Sequence, residues 1–429
     1  MILTMVVFAV AVVLWVCTPL DDTLVALAAV VALLLFGVLP ASALEVLGGS
    51  TTWLLIAAFV LARGVSDSGL PARLAASLVG RAKSVRGLAH LTAFALLLTA
   101  FLVPSTSGRA ALALPVHREL RVNARVSRAL GVLFPSVILL TAVGTLVGAG
   151  AHLITSALLE EATGEGIGFG QWLLLGLPLA VVSAHVTAEL VLWLFTSRAD
   201  RKRALVVDAP TVEFAAPGGT VGTAVPTRTL TSAETTSLGI LAAVSIGWIT
   251  EPWHHVPPEV VALAGAVAIT SPRLGTTTLK AALADIPWSL LLFMAATTML
   301  GTALVRSGAA DSLGTLINPE HLLLTVISVS LLAHLVVQSR SARSSVLVPI
   351  VIPLALAAGM NPAALAFAST AAAGFCHTFS SSAKPVALFA HTYRPRDLLT
   401  LSLFLAPITG VLVLACSVFL WPHLGLPLK

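Results

Sequence analysis

Charge is what this sequence has least of. Only 10% of its residues are charged and 57% are hydrophobic, where a soluble domain carries about a quarter charged residues. That shortage excludes a soluble globular surface and leaves hydrocarbon as the matching solvent. Cysteine is scarce as well: Cys17, Cys376 and Cys416 all lie in apolar stretches, with neither a disulfide framework nor zinc spacing. No acid–base pair or nucleophile constellation is present, which argues against a membrane enzyme; Cys376 beside His377 is too generic to count. No cofactor or metal is implied. The net charge of +5 comes from clustered basic loops, which are topology signals rather than a nucleic-acid footprint.

What is abundant is long apolar runs. A membrane-spanning helix needs ~20 of them in succession, and barrel strands would alternate instead. Spans are predicted at roughly 2–19, 23–39, 51–66, 129–158, 170–196, 235–250, 258–271, 286–305, 361–391 and 397–421. The first run has neither a basic start nor a small-residue cleavage site, so it reads as a retained span.

Two apolar pieces, 88–116 and 320–357, do not fit as ordinary spans. The first is flanked by Arg73, Arg81, Lys83 and Arg86 before it and by Arg118, Arg121, Arg125 and Arg128 after it. The positive-inside rule puts both ends in the cytoplasm, yet the piece is too short for two crossings of ~20 residues. A re-entrant hairpin reconciles the two, with its tip at Pro104-Ser105-Thr106-Ser107-Gly108. Loop charges elsewhere make the second piece a hairpin from the opposite face, with its tip at Gln338-Ser339-Arg340-Ser341-Ala342-Arg343. Non-helical backbone is tolerated at such depth only where it is buried or lines a cavity.

The chain divides into 1–203, a flexible cytoplasmic linker over 204–234 rich in Pro, Gly and Thr, and 235–429. Trp53 opens a span ending at Arg63 to Leu70, and Trp288 opens one ending at Arg306 to Ala310; each is followed by a hairpin and then a Gly/Ser-broken span. The expected fold is therefore an all-α membrane protein. It has two inverted repeats of about five transmembrane helices, each with a re-entrant hairpin and a broken helix, an architecture of secondary transporters.

Aligning Leu114-Pro115-Val116 with Val348-Pro349-Ile350 sets Ser105 against Ser339, Ser107 against Ser341 and Arg109 against Arg343. A charge inside the membrane costs ~2.5–3.5 kcal/mol or more and faces a cavity or a partner. Neither hairpin tip holds an acidic residue, so the partner is a bound anion, or else backbone carbonyls or acids from elsewhere. The broken spans add Thr145 and His152, then His377, Thr378, Ser381, Ser382 and Lys384 as candidate substrate contacts, Lys384 standing before Pro385 inside an apolar run like a buried charge. A lone Ser or Thr in such a helix commonly bonds back to its own carbonyl. The two histidines sit at corresponding places in the two halves and are proton acceptors, substrate donors or packed residues.

At these motifs the chain resembles the divalent anion/sodium symporter family of the wider ion-transporter superfamily, which includes dicarboxylate, citrate and sulfate carriers. The resemblance runs through Thr52-Trp53 to Gly69-Leu70, Ser105-Thr106-Ser107 to Pro115, and Gly144-Thr145-Leu146-Val147-Gly148. It recurs at Ile286-Pro287-Trp288, Ser339-Arg340-Ser341 to Pro349, and Ser380 to Pro385. It implies a homodimer in the inner (plasma) membrane, with scaffold helices at the interface and a transport domain that moves like an elevator.

The chain departs from that pattern where sodium would bind. Family tips read Ser-Asn-Thr; here Thr106 and Arg340 stand at the Asn positions, and the stretch that follows each tip carries Arg109 and Arg343. Where the family has Thr-Pro-Pro-Asn, this chain has Ala149-Gly150-Ala151-His152. A guanidinium 4 Å from sodium repels it by about 4 kcal/mol at an effective dielectric of 20. The expected function is thus sodium-independent exchange or proton-coupled transport of a small anion: a di- or tricarboxylate, or an inorganic oxyanion such as sulfate. A sodium-coupled symporter and an anion channel are the alternatives.

Overall fold

A computed structural model describes residues 2–18, 20–103, 105–120, 122–202, 205, 212–215, 221–224, 229–308, 321–337 and 339–429. Pro104, Arg121, Gln338 and Ala309-Ala310, named above, lie outside the described residues, as does about half of the 204–234 segment.

The first half runs α1 (Ile2–Cys17), α2 (Asp22–Leu35), a 3-10 stretch (Ala41–Gly48), α3 (Ser50–Asp67) and α4 (Leu70–Val79). A helix pair follows, α5 (Val85–Leu102) and α6 (Thr106–Glu119). Then come α7 (Ala124–Thr141), two 3-10 turns (Ala142–Gly144 and Leu146–Gly148), α8 (Gly150–Thr163), α9 (Phe169–Phe195) and the short α10 (Arg198–Lys202). The second half runs α11 (Ser232–Ile249), α12 (Glu251–His254), α13 (Pro258–Thr270), α14 (Leu279–Ala284) and α15 (Trp288–Arg306). A second pair, α16 (Leu322–Leu332) and α17 (Arg340–Ala357), precedes α18 (Pro362–Ala372), α19 (Lys384–Leu388) and α20 (Pro395–Ala415). Seven helical stretches among the described residues are long and apolar enough to cross a membrane, and six shorter apolar helices accompany them. The protein is a helical, multi-span membrane protein.

Three features differ from the sequence reading. The first helix pair is longer than 88–116, and α5 alone has the length and hydropathy of a crossing. It grows into its basic flanks because Ser84 caps it, accepting the Gly87 N–H at 3.1 Å. At the other end His117 and Arg118 occupy the last turn of α6, where cations suit the helix dipole. The second difference is in the 204–234 segment, where Val212–Ala215 pairs antiparallel with Val221–Ala224. The third is that His152 and His377 do not hold matching places. His152 lies in the first turn of α8, past its break, whereas His377 lies inside the break before α19.

Ion pairs join the basic ends of the helices. Arg73 and Glu234, both buried, meet at 2.5 Å, and Glu234 closes a capping box with Thr231 at the start of α11. Arg63 binds Asp67 on its own helix at 2.8 Å and also Asp285, just past α14. These contacts tie α3 and α4 to the segment that follows the linker.

Candidate functional site

The site is built where helices stop. At Thr141 the regular helix gives way to two 3-10 turns, with Thr145 and Ala149 extended (φ −147° and −157°). An interrupted helix frees carbonyls that hydrocarbon cannot satisfy. The Trp172 indole N–H donates to Val143 O at 3.0 Å. Gly176, also on α9, lets the break approach so closely that a Cβ there would lie 2.0 Å from Val143 O.

Other carbonyls near the breaks are met by arginines. Arg109 is 1% exposed. Its Nε donates to Thr99 Oγ1 at 3.0 Å, Nη1 to Ile138 O at 2.9 Å, and Nη2 to Leu96 O at 2.5 Å and Thr141 Oγ1 at 2.8 Å. The guanidinium thus fastens α6 to α5 and to the end of α7, and protein groups occupy the Nε–Nη2 edge that would otherwise face a ligand.

Arg343 is 0% exposed and differently placed. Its Nη1 donates to Phe375 O, in the second break, at 3.1 Å. Its Nε and Nη2 are buried with no hydrogen-bond partner among the described residues. Those two N–H groups are parallel and adjacent, the fork that takes a carboxylate side-on. Arg340, one turn earlier, donates from Nη1 to Leu139 O at 3.2 Å and from Nη2 to His152 Nε2 at 3.1 Å, leaving Nε unpartnered. Gly374 makes room for it, since a Cβ there would meet Arg340 Nη2 at 3.0 Å. Among the described residues no ion pair involves Arg109, Arg340 or Arg343.

His152 is fixed as one tautomer by its contacts. Nδ1 lies 3.0 Å from Thr145 O, which can only accept, so Nδ1 carries the hydrogen and Nε2 accepts from Arg340. The ring lies against Trp172 at a centroid distance of 4.9 Å. His377 Nδ1 accepts the Cys376 N–H at 3.3 Å, and its Nε2 faces Ser136 O at 3.4 Å. Thr145 Oγ1 and Ser344 Oγ are also buried without partners among the described residues.

The hydroxyls divide into caps and bystanders. Ser105 accepts from Gly108 N and Ser339 from Ala342 N, both at 3.2 Å, each capping the helix that follows its tip. Ser341 Oγ lies against Gly150, so the start of α17 abuts the start of α8. Thr106 and Ser107 are half-buried in the first turn of α6. Ser382 Oγ accepts from Phe379 N at 3.0 Å. Ser381 and Lys384 are exposed, unlike the buried Arg343, His152 and Thr145.

Two residues escaped the sequence reading. His334 is buried just before the second tip; Nδ1 donates to Leu331 O at 2.5 Å and Nε2 accepts from Thr378 Oγ1 at 2.7 Å, joining the tip to the second break. Its signal was an imidazole within the apolar run Leu331-Leu332-Ala333-His334-Leu335. Asp22, from α2, comes close to Ser339. No spacing rule connects residues so far apart in sequence.

Two helix pairs and two interrupted helices converge on buried arginines that no carboxylate neutralises among the described residues, an architecture of membrane transporters. The chain belongs to the citrate transporter family, whose family model matches residues 12–372. It is 25% identical over 425 residues to a protein of Cupriavidus necator described as a membrane protein, covering 91% of this chain and 78% of that one. Its fold is similar to the crystal structure of the Alcanivorax borkumensis YdaH transporter, reported to have an unusual topology. The TM-score is 0.56 and the identity 18%, covering 90% of this chain and 88% of that one. The family and fold are those of transporters, not enzymes, in keeping with the resemblance to the divalent anion/sodium symporters.

Proposed function

We propose that this protein is a secondary active transporter of small polycarboxylates, di- or tricarboxylates, with inorganic oxyanions such as sulfate as weaker substrates. The observation that carries the reading is the unpartnered Nε–Nη2 edge of Arg343, fully buried beside the second break. Arginine forks of this kind match carboxylates in geometry as well as charge. Arg340 supplies a second fork one turn away, half closed by His152. The spacing suits a molecule with two carboxylates.

In this reading 1–203 and 235–429 are inverted repeats, the protein is a plasma-membrane homodimer, and the hairpins and broken helices travel as an elevator. The arginines take the place of sodium. The driving gradient is then a counter-anion or a proton. For the proton, His152 is the acceptor: an anion that draws Arg340 away leaves Nε2 free, while the Nδ1 hydrogen bond to Thr145 holds the ring in place.

The test is a thermal-shift screen of the purified protein against citrate, dicarboxylates, monocarboxylates and sulfate, each with sodium or with potassium. Polycarboxylates are expected to raise the melting temperature most, and equally in both salts. Stabilisation by no anion, or only with sodium, would defeat the proposal.

A further inference from the structure

On the outer side of α5 and α9, away from the arginines, lies a second group of titratable side chains. The Glu189 carboxylate accepts from Arg86 Nε and from His90 Nε2, each at 2.6 Å. His90 Nδ1 in turn meets His185 Nδ1 at 2.9 Å. With Nε2 carrying the hydrogen given to Glu189, His90 accepts at Nδ1 and His185 donates. These groups open onto a groove of about 550 Å³, lined by His90, His185, Glu189, Trp193, Arg201 and Ile408.

The groove has two chemically different ends. Arg86 follows the first residue of α5, and Arg201 lies on α10 just past the end of α9. This end sits at the level where the chain's basic loops begin. Glu189 is neutralised by Arg86, so Arg201 leaves the end with a net positive charge; among the described residues its Nε meets only the distant Ser197 O, at 3.4 Å. The other end is apolar and exposed. Phe94 is 41%, Val182 44% and Val411 64% exposed. At the cationic end Trp193, in the last turn of α9 and 60% exposed, stands edge-on to Phe404 at 5.6 Å. An exposed tryptophan at a helix end, next to cations, marks the interface between headgroups and acyl chains.

We propose that this groove binds an anionic phospholipid. Arg201 holds its phosphate, and its acyl chains run past Trp193 and Phe404 toward the apolar end. Charge complementarity favours this occupant, since basic residues at the membrane surface select anionic headgroups. A second copy of the chain would have to bury the same cations against its own.

The experiment is native mass spectrometry of the purified full chain, supplied with phosphatidylglycerol or phosphatidylcholine. Wild-type protein is expected to retain phosphatidylglycerol in preference. Arg201→Ala should weaken that retention by about fivefold or more. Ile408→Trp, which fills the groove without altering charge, should remove bound lipid of either kind. Both variants should melt at the wild-type temperature in phosphatidylcholine, which separates a lost lipid from a lost fold. Equal retention of the two lipids, or variants that keep phosphatidylglycerol, would overturn the proposal. So would disulfide cross-linking of two copies through Trp193→Cys, because a partner chain would then cover the groove.

Discussion

Replacing Arg343 separates a ligand-binding arginine from a structural one, because the two roles predict opposite signs. Two of its N–H groups are buried with no partner among the described residues. A charge held at that depth costs ~2.5–3.5 kcal/mol or more. Arg343→Met keeps much of the volume and removes the charge, losing one bond, Nη1 to Phe375 O, worth ~1.5–3 kcal/mol. The anion-free variant should therefore melt no lower than wild type. Its affinity for the anion should collapse. Two charge-assisted hydrogen bonds contribute ~3–6 kcal/mol, or about 10²- to 10⁴-fold in dissociation constant. Arg343→Lys keeps the charge but loses the fork, so it should fall between, weaker by about 10- to 10²-fold. The assays are thermal melting without anion and calorimetric titration with citrate. A Met variant that melts far below wild type yet binds citrate normally would refute the reasoning, and Arg343 would then be a strut.

The helical layout was legible because apolar runs and basic flanks report directly on a bilayer. The tips were legible too: Ser105 and Ser339, aligned by the prolines downstream, both cap the helix that follows, in the same way and at the same distance. Partnership was not legible. Arg109 and Arg343 look alike in sequence, but the first meets carbonyls and hydroxyls from α5 and α7, while the second has a carbonyl at one corner only. The difference lies in which acceptors a break exposes, and that depends on how far each helix runs before it stops. Lys384 shows the opposite error. Its place in an apolar run suggested a buried charge, yet it is exposed, because the break ends there and α19 begins with it. The approach of Asp22 to Ser339 brings α2 to the second tip, a proximity set by packing of distant segments that no local pattern encodes.

Arg109→Met should behave oppositely to the matching change at Arg343. It leaves Ile138 O buried and unmet and breaks every hydrogen bond that holds α6 to α7 through this side chain, so a loss of ~3–5 kcal/mol is expected in thermal or denaturant melts. Single cysteines at Arg86 and Arg118, both at exposed ends of the first helix pair, should label only from the cytoplasmic side; labelling of either from outside would show that the pair is not re-entrant. Native mass spectrometry in mild detergent should find two chains, and full transport by a persistent monomer would count against a dimeric scaffold. The last prediction concerns the driving ion. Arg340 and Arg343 lie one turn apart with no acidic partner among the described residues. A sodium ion about 4 Å from one guanidinium loses about 4 kcal/mol, roughly a thousandfold in affinity, before the second is counted. A bound anion offsets that repulsion, but it does so by occupying the same N–H groups and already has its charge neutralised there. Sodium therefore gains nothing by entering with it. Uptake of labelled citrate into proteoliposomes should require an internal anion or a pH gradient, and should keep its rate when potassium replaces sodium. A steep, saturable rise with sodium would mean that the arginines do not stand in for the cation.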